Sequence, residues 1–278
     1  RFHNGNPRND NSYGRKKDDG DNIGTFHGGD FAGITQKLDY LNALGVNAIW
    51  ITPVVEQIHG FVGGSPTGKF PFYGYHGYWA LDFTRIDQNW GTDEELQALI
   101  DGAHQRGMRV ILDIVINHVG YNNLADMQRF DYGKVYTDKL PETWSDWEPK
   151  GGLNWHGYHQ HIDYLDQSAW LRWWGPDWVR VGLPGYQPPG GDDLTLALAG
   201  LPDFLTESDK PVGLPPFLRN KADTNAVELA DATVADYLIK WQVDWVRKFG
   251  FDGFRGDTAK HVELGLWRDL KTAAQQAL

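Results

Sequence analysis

The sequence predicts an α/β fold built around a parallel sheet. Segments whose apolar residues recur at helical spacing alternate along the chain with short, β-branched apolar segments. The most apolar of these, MRVILDIVIN at 108–117, is nearly continuous, which is typical of a parallel strand buried on both faces. This alternation leaves two architectures open, a doubly wound sheet and a closed barrel. In both, functional residues lie at the carboxyl ends of the strands.

Local signals mark the start or end of several elements. Asp30 is a candidate N-cap, Thr92 and Glu95 form a capping box, and Gly45 and Gly250 are stop signals. The predicted order is a helix at 31–44, a strand at 46–51, a helix from Thr92 to about Gly107, the strand at 108–117, a helix at 234–249, a strand at 251–255 and a helix at about 262–278.

The region from about 119 to 230 interrupts the alternation. It holds most of the prolines, as in LPGYQPPGGDD (183–193) and PVGLPPF (211–217), and many Trp and Tyr residues. We therefore expect an inserted, irregular module after the strand at 108–117.

Composition narrows the possible classes of function. The chain has 278 residues, no cysteine, 33 glycines, 13 tryptophans and a formal net charge of −11. The acidic balance argues against a nucleic-acid partner, which needs a basic surface. No apolar run reaches the ~18 residues of a membrane span, and no signal-peptide pattern is visible. No glycine-rich nucleotide-binding motif follows a predicted strand.

Two polar clusters follow predicted strands. Asp113 lies within the strand at 108–117, with Asn117 and His118 at its carboxyl end. A buried carboxylate must be paired or hydrogen-bonded, so Asp113 is either a functional residue or an internal brace for a loop.

The second cluster is GFRGDTAKH (253–261). Arg255 and Asp257 are two residues apart, so on a strand they point the same way, and a neighbouring cation keeps a carboxylate ionised for nucleophilic attack. Lys260 and His261 follow close to the same opening. The alternative is a surface ion pair at a strand–helix turn.

An aromatic segment, YGYHGYW (73–79), is expected near the carboxyl ends of the predicted strands, on the same side of the sheet as the two polar clusters. Tyr78 and Trp79 are candidates for stacking on sugar rings, and ordinary core packing is the alternative.

The chain resembles the α-amylase family of glycoside hydrolases. The resemblance covers essentially all 278 residues and is strongest in four blocks, which are GVNAIWITP (45–53), DIVINHVG (113–120), LPDF (201–204) and GFRGDTAKH (253–261). The opening segment 1–20 and the segments 24–30 and 56–64 are most similar to bacterial periplasmic members, which implies a periplasmic or secreted protein.

The resemblance implies a (β/α)8 TIM barrel with a B domain inserted after its third strand. The predicted elements would be strands 2–4 and helices 1–4 of that barrel. Residues 1–118 and 206–278 would form the barrel domain, incomplete at both ends, and residues 119–205 the B domain.

The implied activity is retaining endo-hydrolysis of α-1,4-glucosidic bonds in starch, glycogen and maltodextrins. Asp257 would be the nucleophile and Arg255 its charge partner. The resemblance implies that five residues contact the sugars, namely Tyr78, Asp113, His118, Lys260 and His261. Trp79 is a sixth candidate, from the aromatic segment. The substrate would be an α-glucan, and we expect a monomer as the full-length protein.

The resemblance also implies calcium, a hard cation that prefers oxygen ligands. Asn117, Asp203 and the backbone carbonyl of His261 match one site of the family. A second site would use the N-terminal loop, whose candidate ligands are Asn4, Asn6, Asn9, Asp10, the carbonyl of Gly28 and Asp30. An Asn- and Asp-rich glycine loop is also an ordinary turn.

Three points depart from the family pattern. The general-acid Glu after strand 5 and the third carboxylate after strand 7 have no counterpart here, so we expect the isolated chain to be an inactive fragment. Position 256 is glycine where relatives usually carry an aliphatic residue. Competing interpretations are a related transglycosylase, a pullulan-degrading or branching enzyme, and a non-catalytic amylase-like domain.

Overall fold

The computed structural model describes residues 2–15, 24–63, 72–136 and 159–278. Predictions that involve residue 1, 16–23, 64–71 or 137–158, including parts of the N-terminal segment and of the module, lie outside the described residues.

The described chain contains seven strands and eight α-helices of different lengths. The strands are β1 (Ala48–Ile51), β2 (Val55–Gln57), β3 (Ala80–Ile86), β4 (Arg109–Ile114), β5 (Val179–Arg180), β6 (Asp203–Phe204) and β7 (Gly253–Gly256). The α-helices are α1 (Phe31–Gln36), α2 (Leu38–Ala43), α3 (Asp93–His104), α4 (Leu124–Arg129), α5 (Gln167–Trp170), α6 (Pro216–Asn220), α7 (Val234–Phe249) and α8 (Leu264–Gln275).

A parallel sheet of three strands, in the order β1–β4–β7, organises the described residues. Its central strand β4 is the apolar segment that predicted a buried parallel strand. The register sets Asp113 of β4 opposite Arg255 of β7. The sheet therefore brings together the two polar clusters singled out in the sequence.

The predicted helix at 31–44 is divided at Lys37. The Lys37 backbone has φ −107° and ψ 7°, and its N–H donates to the Ile34 carbonyl three residues back, which tightens the turn and separates α1 from α2. The Asp30 carboxylate caps α1 through the Gly33 N–H at 2.6 Å, as predicted.

The other long helices follow their sequence signals closely. The capping box of Thr92 and Glu95 opens α3, which ends at His104, earlier than predicted. Thr233 and Asp236 form a second capping box at α7, and Gly250 ends this helix with a left-handed φ of 80°.

The predicted strand at 108–117 ends early, at Ile114. Residues after it remain buried but pair with the module: the Val119 N–H donates to the Pro202 carbonyl at 3.1 Å and the Phe204 N–H donates to the Asn117 carbonyl at 2.9 Å. The carboxyl end of β4 thus joins residues 202–204.

Two antiparallel pairs were not predicted. Strand β2 pairs with β3, and β5 pairs with β6. Most of β3 is buried on both faces, so its sequence lacks the alternation that marks a half-exposed strand.

An aromatic core joins the module to α7. Trp178 stacks on Trp241 of α7 with ring centroids 5.6 Å apart, and Trp241 stacks on Phe83 of β3 at 5.8 Å. Much of the aromatic content of the chain therefore serves packing rather than ligand binding.

A buried ionic network lies beside β2 and β3, formed by Glu56, His59, Asp82, Asp126 and Lys221. Lys221 Nζ lies 2.8 Å from Glu56 Oε2 and 3.2 Å from Asp82 Oδ2, and His59 contacts Glu56 Oε1 and Asp126 Oδ1 at 2.8 Å each. All five side chains are nearly inaccessible to solvent, so the opposite charges compensate one another's desolvation.

A separate buried ion pair anchors the N-terminal segment. Arg15 Nη1 contacts both carboxylate oxygens of Asp87, at 2.8 and 2.6 Å. Burial alone would raise the pKa of Asp87, but Arg15 and a hydrogen bond from the Gln57 N–H hold it below its usual value.

In the part of the chain that the structure describes, no helix has the length and apolar character needed to cross a lipid bilayer.

Candidate active site

Asp113 is the central residue of the site. Its side chain is fully buried and accepts hydrogen bonds from Tyr78 Oη at 2.8 Å, Trp50 Nε1 at 3.2 Å and Arg255 Nη1 at 3.1 Å. These donors hold Asp113 inside the protein. Asp113 thus braces the site internally, and its direct contact with a sugar stays a prediction.

Arg255 links the two carboxylates of the site. Its Nη1 atom contacts both oxygens of Asp113 and also donates to Asp257 Oδ1 at 2.6 Å. The guanidinium lies over the Trp50 ring at 5.1 Å. Asp257, unlike Asp113, is 19% exposed, so its carboxylate is oriented by Arg255 while it faces the opening.

The backbone holds Asp257 where β7 ends. The Asp257 N–H donates to the Ile114 carbonyl at 2.9 Å and extends the ladder between β4 and β7 by one bond. Thr258 follows with a left-handed φ of 49°, which turns the chain out of the sheet.

The electrostatics keep the donors protonated. Burial, followed by the hydrogen bond to Asp113, raises the pKa of Tyr78. Although partial burial opposes it, hydrogen bonding to Asp113 and Asp257 raises the pKa of Arg255. Burial also raises the pKa of Asp113, against the effect of its donors. Tyr78 therefore remains a hydrogen-bond donor and Arg255 remains a cation at neutral pH.

Aromatic side chains line the opening. His76 stacks on Tyr78 with centroids 5.6 Å apart, and Trp79 meets His76 edge-on at 4.6 Å and Tyr121 at 5.1 Å. A groove of about 600 Å³ begins here and is lined by Trp50, His76 and Tyr78 among other residues. Flat aromatic faces thus line the opening next to Tyr78, whose hydroxyl donates to Asp113.

His118 braces this aromatic segment. Its Nε2–H donates to the Tyr78 backbone carbonyl at 3.2 Å, which leaves Nδ1 to accept from the Asn117 amide at 3.2 Å. Burial lowers the pKa of His118 to about 4, so the ring is neutral at pH 7. A neutral ring is consistent with this pattern of one donor and one acceptor.

Lys260 and His261 reach toward the inserted module. Lys260 Nζ contacts Asp193 Oδ1 at 3.1 Å, and His261 Nδ1–H donates to the Asp193 carbonyl at 2.6 Å. Both residues lie close after Asp257, on the turn that leads into α8.

Asn117 and Asp203 lie side by side. The backbone pairing of residues 117–119 with 202–204 joins them, and Asp203 also contacts Arg180 Nη1 at 2.5 Å. Burial raises the pKa of Asp203 to about 7, although Arg180 opposes this shift. Among the described residues, the buried Asn117 Oδ1 has no hydrogen-bond partner.

The N-terminal loop folds around Asp30. The Asp30 carboxylate accepts the N–H groups of Gly5 and Asn6 at 3.0 and 2.8 Å, and the Asn9 side chain at 3.4 Å. These bonds gather the polar loop over the start of α1.

Two amide oxygens in this loop are buried without a hydrogen-bond partner among the described residues, namely those of Asn4 and Asn9. Asn4 Nδ2 donates to Asp10 at 2.9 Å, and Gly28 packs so closely on Asn4 that a Cβ there would lie 2.6 Å from its amide nitrogen. The predicted ligand residues are therefore neighbours in space.

The structure adds Trp50 to the residues predicted from sequence. Its indole donates to Asp113 and supports the Arg255 guanidinium from below. The sequence signal for Trp50 is a tryptophan, with its indole N–H, in a short apolar strand that pairs with β4. Within the described ranges, no three His, Asp or Glu side chains form a group that could hold a metal ion by themselves.

Comparisons with known proteins agree with this geometry. Residues 1–170 match the family model described as the α-amylase catalytic domain. The chain is 52% identical over 284 aligned residues to the periplasmic α-amylase of Escherichia coli K12, an alignment that covers the whole chain but 42% of that relative. It thus spans less than half the length of this relative.

Solved structures share the fold. The α-amylase of Geobacillus thermoleovorans in complex with acarbose superposes with a TM-score of 0.54 at 26% identity, over 95% of this chain and 42% of the other. A type III pullulan hydrolase from Thermococcus kodakarensis superposes with a TM-score of 0.56 at 26% identity, over 100% of this chain and 40% of the other.

These matches confirm the predicted fold class, in which the three parallel strands are part of a (β/α)8 barrel. The division into a barrel domain and a B domain at residues 119 and 205 stays a prediction. On the match of its first 170 residues and its 52% identity to the E. coli enzyme, the chain belongs to the α-amylase family.

Proposed function

We propose that the protein carrying this chain is an α-amylase that hydrolyses internal α-1,4-glucosidic bonds of starch, glycogen and maltodextrins with retention of configuration. The observation that carries the proposal is the bridge from Arg255 Nη1 to both Asp113 and Asp257. It leaves the Asp113 carboxylate buried as a brace and the Asp257 carboxylate partly exposed at the opening, where aromatic rings lie nearby.

In the proposed reaction Asp257 attacks the anomeric carbon of the bound sugar. Arg255 orients the carboxylate, because its Nη1 donates to Oδ1 at 2.6 Å. The bond from the anomeric carbon to the leaving oxygen breaks, and a second carboxylic acid must protonate that oxygen. We assign no general acid among the described residues, so residues 1–278 alone should not hydrolyse starch.

Substrate binding would use the opening around Tyr78. Its ring offers a face to the sugar at the cleavage point, while its hydroxyl is held by Asp113 at 2.8 Å. A contact of His118 with the same sugar stays a prediction, because both of its ring nitrogens already have protein partners. Lys260 and His261 would contact the next sugar on the leaving side. The Asp193 contacts already hold the latter two in place.

The decisive experiment replaces Asp257 with Asn in the full-length protein and measures release of reducing ends from amylose. We expect a loss of at least 10⁴-fold in kcat with an unchanged unfolding temperature, because the isosteric amide keeps the shape but cannot attack. Near-normal turnover would eliminate Asp257 as the nucleophile. Product analysis of the unmodified protein separates hydrolysis from glucosyl transfer, and pullulan as substrate tests the activity named for the T. kodakarensis neighbour.

We also propose a calcium ion between β4 and the module. Asn117 Oδ1 is buried without a hydrogen-bond partner among the described residues, and the backbone pairing brings Asp203 next to this segment. Together with the carbonyl of His261, these residues would supply the hard oxygen ligands that calcium prefers. Calcium there would join the barrel to the module. Asn117→Ala should abolish a calcium-dependent rise in unfolding temperature, and an unchanged calcium response would contradict this site.

The N-terminal loop is the proposed second calcium site. The unpartnered oxygens of Asn4 and Asn9 and the carboxylates of Asp10 and Asp30 supply donors of the right type. Terbium luminescence, excited through nearby aromatic rings, should lose one component in the variant Asp30→Asn; full retention of the signal would exclude the site.

We infer a periplasmic location from the name of the E. coli relative. Cell fractionation of the native host tests it, and recovery of the protein in the cytosol would contradict it.

A further inference from the structure

Gly256 of β7, the residue before Asp257, faces the indole of Trp267 on α8. A Cβ atom added at Gly256 would lie 2.5 Å from Cη2 and 2.7 Å from Cζ3 of this ring. Both distances are far below van der Waals contact, so the ring occupies the space that a side chain at position 256 would need.

Trp267 has a second contact on the same loop. Its Nε1–H donates to the Ala259 backbone carbonyl at 3.0 Å. The ring is therefore held at its polar end and cannot swing away freely. A single indole contacts the chain immediately before Asp257 and again two residues after it.

Another glycine of the same strand shows that this arrangement is specific to position 256. A Cβ at Gly253 would lie 3.4 Å from Ile111 Cδ1, which is an ordinary contact. The strand itself therefore accepts a side chain, and only the approach of Trp267 requires glycine at 256.

We propose that Trp267 is a positioning residue for the nucleophile Asp257. The inference rests on the proposed function. Glycine has no side chain with which to lock its own backbone, and a glycine in a strand weakens it. The indole supplies that restraint from outside by packing on Gly256 and binding Ala259, and so fixes the direction from which Asp257 approaches the sugar.

The contact geometry sets the size of the effect. Asp257 Oδ1 is 2.6 Å from Arg255 Nη1, and a methyl group at 256 must displace the strand or the ring by about 0.9 Å for the 2.5 Å approach to reach the 3.4 Å of an ordinary contact. A displacement of about 1 Å at a reacting group costs roughly 100-fold in rate. The effect should fall on kcat rather than on substrate binding, because the aromatic wall at Tyr78 lies on a different element.

The test uses α-maltosyl fluoride and the full-length protein. Fluoride departs with the bonding electrons without needing protonation, so the attack of Asp257 on the anomeric carbon is measured without the general acid. We expect Gly256→Ala to lower kcat about 30- to 100-fold with less than about a threefold change in KM. The matched control Gly253→Ala should stay within about twofold of the unmodified protein, because its new methyl group meets only an ordinary contact.

Compensation separates positioning from general damage. Trp267→Leu alone should lower kcat about tenfold. Combined with Gly256→Ala it should bring kcat back to about the level of Trp267→Leu alone, because the methyl group then has room while the restraint from the indole is still missing. Activity of Gly256→Ala above half the unmodified value, or a double variant no better than Gly256→Ala, would overturn the proposal.

A milder variant decides the matter if Gly256→Ala does not fold. Trp267→Phe keeps an aromatic ring and removes the bond to Ala259, so kcat should fall about three- to tenfold with KM unchanged, and an unchanged kcat would overturn the proposal. Asp257→Asn distinguishes the two hypotheses. If it is active, the proposed function fails; if it is inactive while the variants at 256 and 267 are normal, only the positioning role fails.

Discussion

Replacing Lys221 with Met should destabilise the protein more than any exposed charge removal. Lys221 is the cation nearest to Glu56 and Asp82, with its Nζ 2.8 and 3.2 Å from their oxygens. Both carboxylates are fully buried. Methionine keeps most of the side-chain volume but leaves the buried Glu56 and Asp82 carboxylates without this shared cation.

The structure sets the magnitude of this effect. Removing one partner of a buried pair costs roughly 3–5 kcal/mol, because the other charge stays buried without compensation. The third contact of Lys221, with Asp223, adds little because that carboxylate is 44% exposed. We therefore expect a loss of about 3–5 kcal/mol in the free energy of unfolding.

Urea unfolding followed by tryptophan fluorescence measures the loss, and Lys248→Met is the matched control. Lys248 pairs with Asp93 where both side chains are about half exposed, so its removal should cost less than about 1 kcal/mol. Equal effects of the two substitutions would refute the reasoning, since burial would then have no influence.

Two further predictions concern His59 and Tyr78. Burial alone would lower the pKa of His59, but Asp126 and Glu56 outweigh it and raise that pKa above 6.5. The resulting stabilisation is complete below pH 6.5 and is lost as the pH rises through the folded-state pKa of His59. His59→Gln should therefore abolish this decline in the free energy of unfolding with rising pH. A variant that still shows the full decline would contradict the assignment. Tyr78→Phe keeps the ring but removes the 2.8 Å bond to Asp113, so kcat on maltodextrins should fall about tenfold with little change in KM, and a normal kcat would show that the hydroxyl is not needed.

The centre of the candidate site was predictable because parallel strands end at one edge of a sheet. Asp113 and Arg255 are separated by 142 residues, yet each follows a recognisable strand signal, and the register sets them opposite each other. The capping box at Thr92 and the glycine stop at Gly250 are equally local, and both are present as predicted.

Other features depend on contacts that no local pattern encodes. The donation from Trp50 to Asp113 requires the register of β1 on β4, and this bond helps to sequester Asp113 from the opening. The antiparallel pair β2–β3 was not predicted, because most of β3 is buried on both faces and its sequence lacks the alternation of a half-exposed strand. His59 and Lys221 both contact Glu56, but they are 162 residues apart, and no local pattern predicts that they belong to one network.

The buried ionic network also has a consequence for the order in which the chain acquires its structure. Glu56 and Asp82 leave the ribosome well before Lys221, about 140 to 165 residues ahead of it. At synthesis rates of roughly 5–20 residues per second, the gap lasts on the order of ten to thirty seconds. During that time β2 and β3 carry carboxylates that cannot be buried without their cation. We therefore expect β2 and β3 to reach their buried positions only after residue 221 has emerged, because the Lys221 ammonium then becomes available to pair with Glu56 and Asp82.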